Sequence, residues 1–159
     1  MAKPASEPQT PEAALRSLID TLEPKEQTLF RSVRTAVRKL FPSANELAYE
    51  YGTHIALAYS PTTRGIESIV SIVARGGDIQ LYFTQGKNLP DPKKLLSGSG
   101  TQVRYLVVKA AKELADPDMS ALIAAAIDLS TVPLPAKAKG ELIIQATAAS
   151  KRSAQKRKK

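Results

Sequence analysis

The sequence predicts an α+β fold: two N-terminal helices and a later helix flanking an antiparallel sheet of four to five strands. Three observations carry this. Apolar residues recur at helical spacing up to Phe41, and again after Asp116. Between them, from Leu47 to Lys109, the period is two. Gly76-Gly77-Asp78 sits between two alternating runs and reads as a hairpin turn, so successive strands run antiparallel.

Residues 1–9 are polar, carry Pro4 and Pro8, and are expected to be disordered. Thr10-Pro11-Glu12 opens the first helix, with Thr10 as cap and Pro11 at the first helical position. Leu15, Leu18, Ile19 and Leu22 follow on one side. Pro24 opens a second helix whose stripe is Leu29, Phe30, Val33, Val37, Leu40 and Phe41; Pro42 ends it. Strand-like alternation then covers Leu47–Tyr51, Ile55–Tyr59 and Ile79–Phe83. The Ile/Val-rich stretch 66–75 reads as a more buried strand, and 103–109 as the last strand of the sheet. Lys93–Leu96 fits one helical turn between two loops. Asp116-Pro117 starts the third helix, with Met119, Leu122, Ile123, Ala126 and Ile127 on its buried side. The domain so defined spans residues 10–129. Residues 130–147 form a linker with a short extra element, in which Glu141–Ala146 suits either a strand or a helical start. Residues 148–159 form a basic tail expected to be disordered.

Composition removes several classes of function. The 159 residues contain no cysteine, which excludes disulfides, thiol catalysis and thiolate metal sites. No run approaches the roughly 18 apolar residues of a membrane span, and Met1–Pro8 lacks the apolar segment of a secretory signal, so a cytoplasmic protein without membrane partners is expected. The net charge of +8 is uneven: residues 151–159 hold six of the 23 basic residues and no acid, which leaves the body at +2.

No catalytic set is visible, and no cofactor or metal is expected. His54 is the sole histidine and has no nucleophile elbow near it. Glu12, Asp20, Glu23 and Glu26 are interleaved with Arg16 and Lys25, which weakens any acidic ridge for a hard cation and suits a solvated charged face. Gly98-Ser99-Gly100, with Lys93, Lys94 and Arg104 nearby, could cradle an anion, but it lacks the order of a phosphate loop and reads first as a structural turn. Tyr49 and Tyr51, with Tyr59 and Tyr82, suit either a groove or cross-strand packing. The tail residues Lys151, Arg152, Lys156, Arg157, Lys158 and Lys159 suit a polyanion through counterion release, with no base reading, or a purely solubilising role.

Residues Tyr51-Gly52, Leu81-Tyr82-Phe83, Leu89-Pro90-Asp91-Pro92, the run from Leu95 to Gly100, Arg104 and Leu122–Ala126 carry a resemblance to YdhG-like domains. With the preceding helices it covers residues 11–128. The resemblance implies a helix-flanked antiparallel sheet and, through members described as frataxin-like iron chaperones, an iron-binding alternative. No iron ligand carries over, because the chain is basic and holds one histidine. The sequence therefore predicts a non-enzymatic binding or adaptor domain for a protein or small molecule, with nucleic acid or another polyanion engaged non-specifically by the tail.

Overall fold

Proline at the first helical position opens all three helices in a computed structural model that describes residues 10–136 and 139–146. Helix α1 is Pro11–Ile19, and its cap is Thr10, whose hydroxyl accepts the Ala13 N–H at 3.1 Å. Helix α2 is Pro24–Leu40 and α3 is Pro117–Leu129. Asp116 occupies the cap position of α3 without a side-chain cap bond. The expected ends of residues 1–9 and 148–159 lie outside the described residues.

The sheet has six strands and is mixed: β1 (Asn45–Glu50), β2 (His54–Ser60), β3 (Val70–Arg75), β4 (Asp78–Phe83), β5 (Arg104–Val108) and β6 (Leu142–Ala146). Their spatial order is β5-β4-β3-β2-β1-β6. The first five form the antiparallel meander that the alternation predicts. The open alternative at Glu141–Ala146 resolves as a strand that runs parallel to β1. Gly140 permits this entry, because a Cβ there would collide with the Ala44 carbonyl.

Four expectations change. The stretch 66–75 becomes a strand only from Val70; Gly65–Glu67 is a 3-10 turn and Ile66 is exposed. Lys93–Leu96 is not helical: Lys94 has φ 53°, and Asp91 accepts the N–H groups of Leu95 and Leu96 at 2.8 and 2.9 Å, closing a turn instead. Leu40 is exposed and Leu29 half-buried, because the side of α2 that meets the sheet centres on Phe30, Val33 and Val37. Glu26, expected on a solvated charged face, is buried in that same helix.

All three helices cover one side of the sheet. The helix residues Leu15, Phe30, Val33, Val37, Leu122 and Ile123 share a core with Leu57, Tyr59, Ile72, Leu81, Phe83 and Val108. Every strand residue of that core lies on one register face. No described helix is long and apolar enough to cross a membrane.

Candidate functional site

Alternation gives the sheet a second face, and the helices leave it open. Read across the strands, one row is Leu47, Ala58, Ser71, Tyr82 and Tyr105. The next is Tyr49, Ala56, Val73, Gln80 and Val107. Leu47, Ala58 and Val73 are buried there, yet none belongs to the helix-facing core. The loop from Ser60 to Ser68 closes over the β1–β6 part of this face: Thr62 and Thr63 carbonyls accept from Asn45 at 3.0 Å and Gln145 at 2.6 Å. Gly65 lies against the Tyr49 hydroxyl so closely that a Cβ would not fit.

What remains open is a shallow groove of about 230 Å³ whose floor includes Ala56, Ser71 and Val73. Small floor residues leave room, and of the rings on this face His54 and Tyr82 line it. On one side Tyr49 and Tyr51 stack with centroids 6.0 Å apart and planes 2° from parallel. Tyr51 stacks in turn on His54 at 4.7 Å. On the other side Tyr82 and Tyr105, a directly opposed cross-strand pair, stack at 5.0 Å. Tyr51, Val103 and Val107 are each about 40% exposed, as 40%, 41% and 41%. The Gln80 side-chain oxygen is buried on this face with no hydrogen-bond partner. Burial first, and then the Arg75 charge, push the His54 imidazole below its ordinary value. Burial raises the Tyr49 and Tyr51 phenols, so this pair is neutral at physiological pH.

Tyr49 and Tyr51 thus lie together beside the groove, and Tyr82 lines it from β4. Tyr59 is not among them: it is fully buried on the helix side, as the parity of Ile55 and Leu57 requires. Its hydroxyl donates to Glu46 at 2.6 Å. Glu46 also receives two bonds from Arg34, both 2.9 Å, and Arg34 reaches Glu12 at 2.8 Å. Burial opposes the Arg34 charge, but the bonds to the two carboxylates outweigh it and hold the guanidinium above its usual value. The same Arg34 bond holds the Glu12 carboxyl below its usual range, against partial burial. Burial and the neighbouring Glu46 raise the Tyr59 phenol well above the usual range, so it remains a donor. This network joins α1, α2, β1 and β2; nothing in the spacing of Glu46 alone announces it.

The loop residues come together in part. Gly98, Ser99 and Gly100 adjoin Arg104, but the Arg104 guanidinium donates to the carbonyls of Gly100 at 2.7 Å and Val103 at 2.8 Å. Lys93 leaves the group and pairs with Asp118 on α3 at 2.8 Å. Lys94 is the one described non-glycine residue with positive φ. Of the early carboxylates, Glu12 pairs with Arg34 and Asp20 with Arg31 at 2.8 Å. No group of three or more His, Asp or Glu side chains suited to a metal forms among the described residues. The six tail cations lie outside the described residues.

His54 and Tyr105 are the face residues that local pattern alone misses. The signal was parity: Tyr82 sits between Leu81 and Phe83, so it must point away from the side they bury. Comparison with family models, curated proteins and solved structures returns no match.

Proposed function

We propose that the chain is a non-enzymatic binding domain whose recognition surface is the helix-free face of the sheet. One observation carries this: two sets of stacked rings flank an open floor of small residues. A sheet face meant only for solvent alternates with charged and polar side chains. This one instead presents Tyr51, Val103 and Val107 with substantial exposure, the arrangement of a surface awaiting an apolar or flat partner. The resemblance to YdhG-like domains belongs to the same proposal at the level of the fold. The basic segment after β6 adds electrostatic attachment to a polyanion.

Amide-shift mapping with indole, a neutral flat ring, tests the surface. Shifts should concentrate on Ala56, Ser71, Val73, Tyr82 and Tyr105. Shifts confined to the groove beside Glu46 and Arg38, on the helix side, would move the site there and end this reading.

A further inference from the structure

A second hollow lies at the end of the sheet where α1 turns into α2. Three turns wall it: Thr21 and Glu23 stand between α1 and α2, Gly52 and Thr53 between β1 and β2, and Arg75 and Gly76 at the β3–β4 hairpin. Its volume is about 440 Å³, within the range of small-molecule sites. Leu18, Leu22, Ile55 and Ala74 give it an apolar side. Glu23, Glu26 and Glu50 line it against Arg75 and His54, so carboxylates outnumber cations even with the imidazole protonated. His54 and Arg75 also line the groove of the open face and form the wall that the two hollows share.

Exposed carboxylates around a hollow need no ligand, and Glu23 is one of these. Glu26 differs. It is 9% exposed and lines the hollow, yet among the described residues its carboxylate has neither a hydrogen bond nor an ion pair. It holds the third position of α2, where an acid ordinarily reaches back to the N–H of the cap residue. No side-chain bond closes that cap. A smaller hollow on its other side brings Lys25 and Lys109 near, and neither pairs with it. A polar group buried without a partner costs free energy that a partner would recover. The hydroxyls and the Glu50 carboxylate of the hollow are already engaged. Glu50 accepts the Gly52 N–H at 3.0 Å, Thr21 donates to the Leu18 carbonyl at 2.6 Å, and Thr53 bonds His54 at 3.0 Å. Glu26 is the buried acceptor still to be met.

We infer that this hollow binds a small aliphatic amine, with its ammonium group on Glu26 and its carbon chain along Leu18, Leu22, Ile55 and Ala74. The excess of carboxylates selects a cation over an anion. A metal ion needs several ligand atoms converging on one point. No group of three or more His, Asp or Glu side chains suited to that forms among the described residues. An ammonium needs one strong acceptor and keeps its remaining N–H donors for Glu23, Glu50 or water. The apolar side suits a methylene stem and offers nothing to a hydrated metal ion. This site goes beyond the binding-face reading and does not rest on it.

The test titrates putrescine, a short diamine, into the full chain and follows the amide signals by NMR. Butanediol, the neutral diol of equal length, and magnesium chloride are the controls. Putrescine should shift the amides of Thr21, Glu26, Thr53 and Gly76 and leave Ser71 and Tyr82 in the groove unmoved. Neither control should reproduce that pattern. Glu26→Gln keeps the shape and removes the charge, so putrescine affinity should fall about tenfold or more. Its urea midpoint should not fall below that of the wild type, because no partner of Glu26 is orphaned. Glu23→Gln, at an exposed position without a cap bond, should weaken binding about threefold and leave the fold intact. No shift with putrescine, equal shifts with butanediol or magnesium, or wild-type affinity in Glu26→Gln overturns the inference. Should Glu26→Gln fail to fold, wild-type affinity in Glu23→Gln overturns it instead. Tighter binding of a lysine-bearing peptide, with shifts spreading beyond the hollow, also overturns it and assigns the hollow to a protein partner. Indole shifts on Ala56 and Ser71 without putrescine shifts sink this inference alone. Putrescine shifts with a face silent to indole sink the binding-face reading alone.

Discussion

The two faces of this sheet share one backbone and differ in nearly everything else. Under the helices, Leu57, Ile72, Leu81 and Phe83 have 0% exposure and fill the space completely. On the open side, Ala56, Ser71 and Val73 leave a trough, and the large side chains stand at its edges as stacked rings. Close packing explains the first face: large apolar groups that interdigitate gain both transfer energy and contact. It does not explain the second, where the middle of the sheet carries its smallest side chains and its rings keep partial exposure. The contrast teaches that burial here makes stability on one side and leaves the other available for the recognition proposed above.

The contrast breaks if the two faces respond alike to truncation. Phe83→Ala removes a fully buried ring and should cost about 3–5 kcal/mol in urea unfolding. Tyr105→Thr, on a half-buried edge strand, should cost about 1 kcal/mol. A Tyr105→Thr loss as large as that of Phe83→Ala would make the open face part of the core. Next in size is the polar anchor of the covered face. Glu46→Ala leaves Arg34, whose side chain is only 14% exposed, without its buried partner, and should cost about 3 kcal/mol. Tyr59→Phe removes one donor from the same carboxylate and should cost about 1–2 kcal/mol. Losses below about 0.5 kcal/mol for both would show that water replaces the network.

Much of the covered face was legible from residue order. Helical spacing from Phe30 to Val37, and period two through Ile55–Tyr59 and Ile79–Phe83, name the residues that meet. The meander followed from short turns such as Gly76-Gly77, both at positive φ. What was not legible lies between distant segments. Glu46 looks like one more surface acid until β1 brings it against Arg34 and Tyr59. The pairing of β6 with β1 joins residues 96 apart, as in the bond from Glu141 N–H to Asn45, and no local signal specifies so long a closure. The ring pair Tyr82–Tyr105 likewise spans a loop whose length hides the register.

Gly140 sharpens the comparison at the sheet edge. A methyl group there would strike the Ala44 carbonyl, so Gly140→Ala should shift β6 and cost about 1–3 kcal/mol. Because β6 supplies the parallel edge next to Tyr49, the variant should also move the Tyr49 amide signal while leaving Phe83 undisturbed. Unchanged stability would mean that β6 adds little to the fold.

The smallest expected effect lies at His54, on the open face. Its imidazole is pushed below the ordinary value of 6.5 by burial first and by Arg75 second. Glu23, Glu26 and Glu50 line the adjoining hollow, and Tyr51 stacks on the ring. A depressed histidine binds a proton less readily when folded than when unfolded. The unfolded chain therefore gains protons first as pH falls below about 6.5, and stability declines from there until the folded ring also protonates. The ring is only part-buried, so the decline is small, and direct titration by NMR is the better measurement. The midpoint should lie below 6.5 in the wild type. Arg75→Gln should raise it only partly, since burial is the larger cause. A wild-type midpoint at or above 6.5 would show that solvent reaches the ring freely, and that the stack with Tyr51 does not persist in solution.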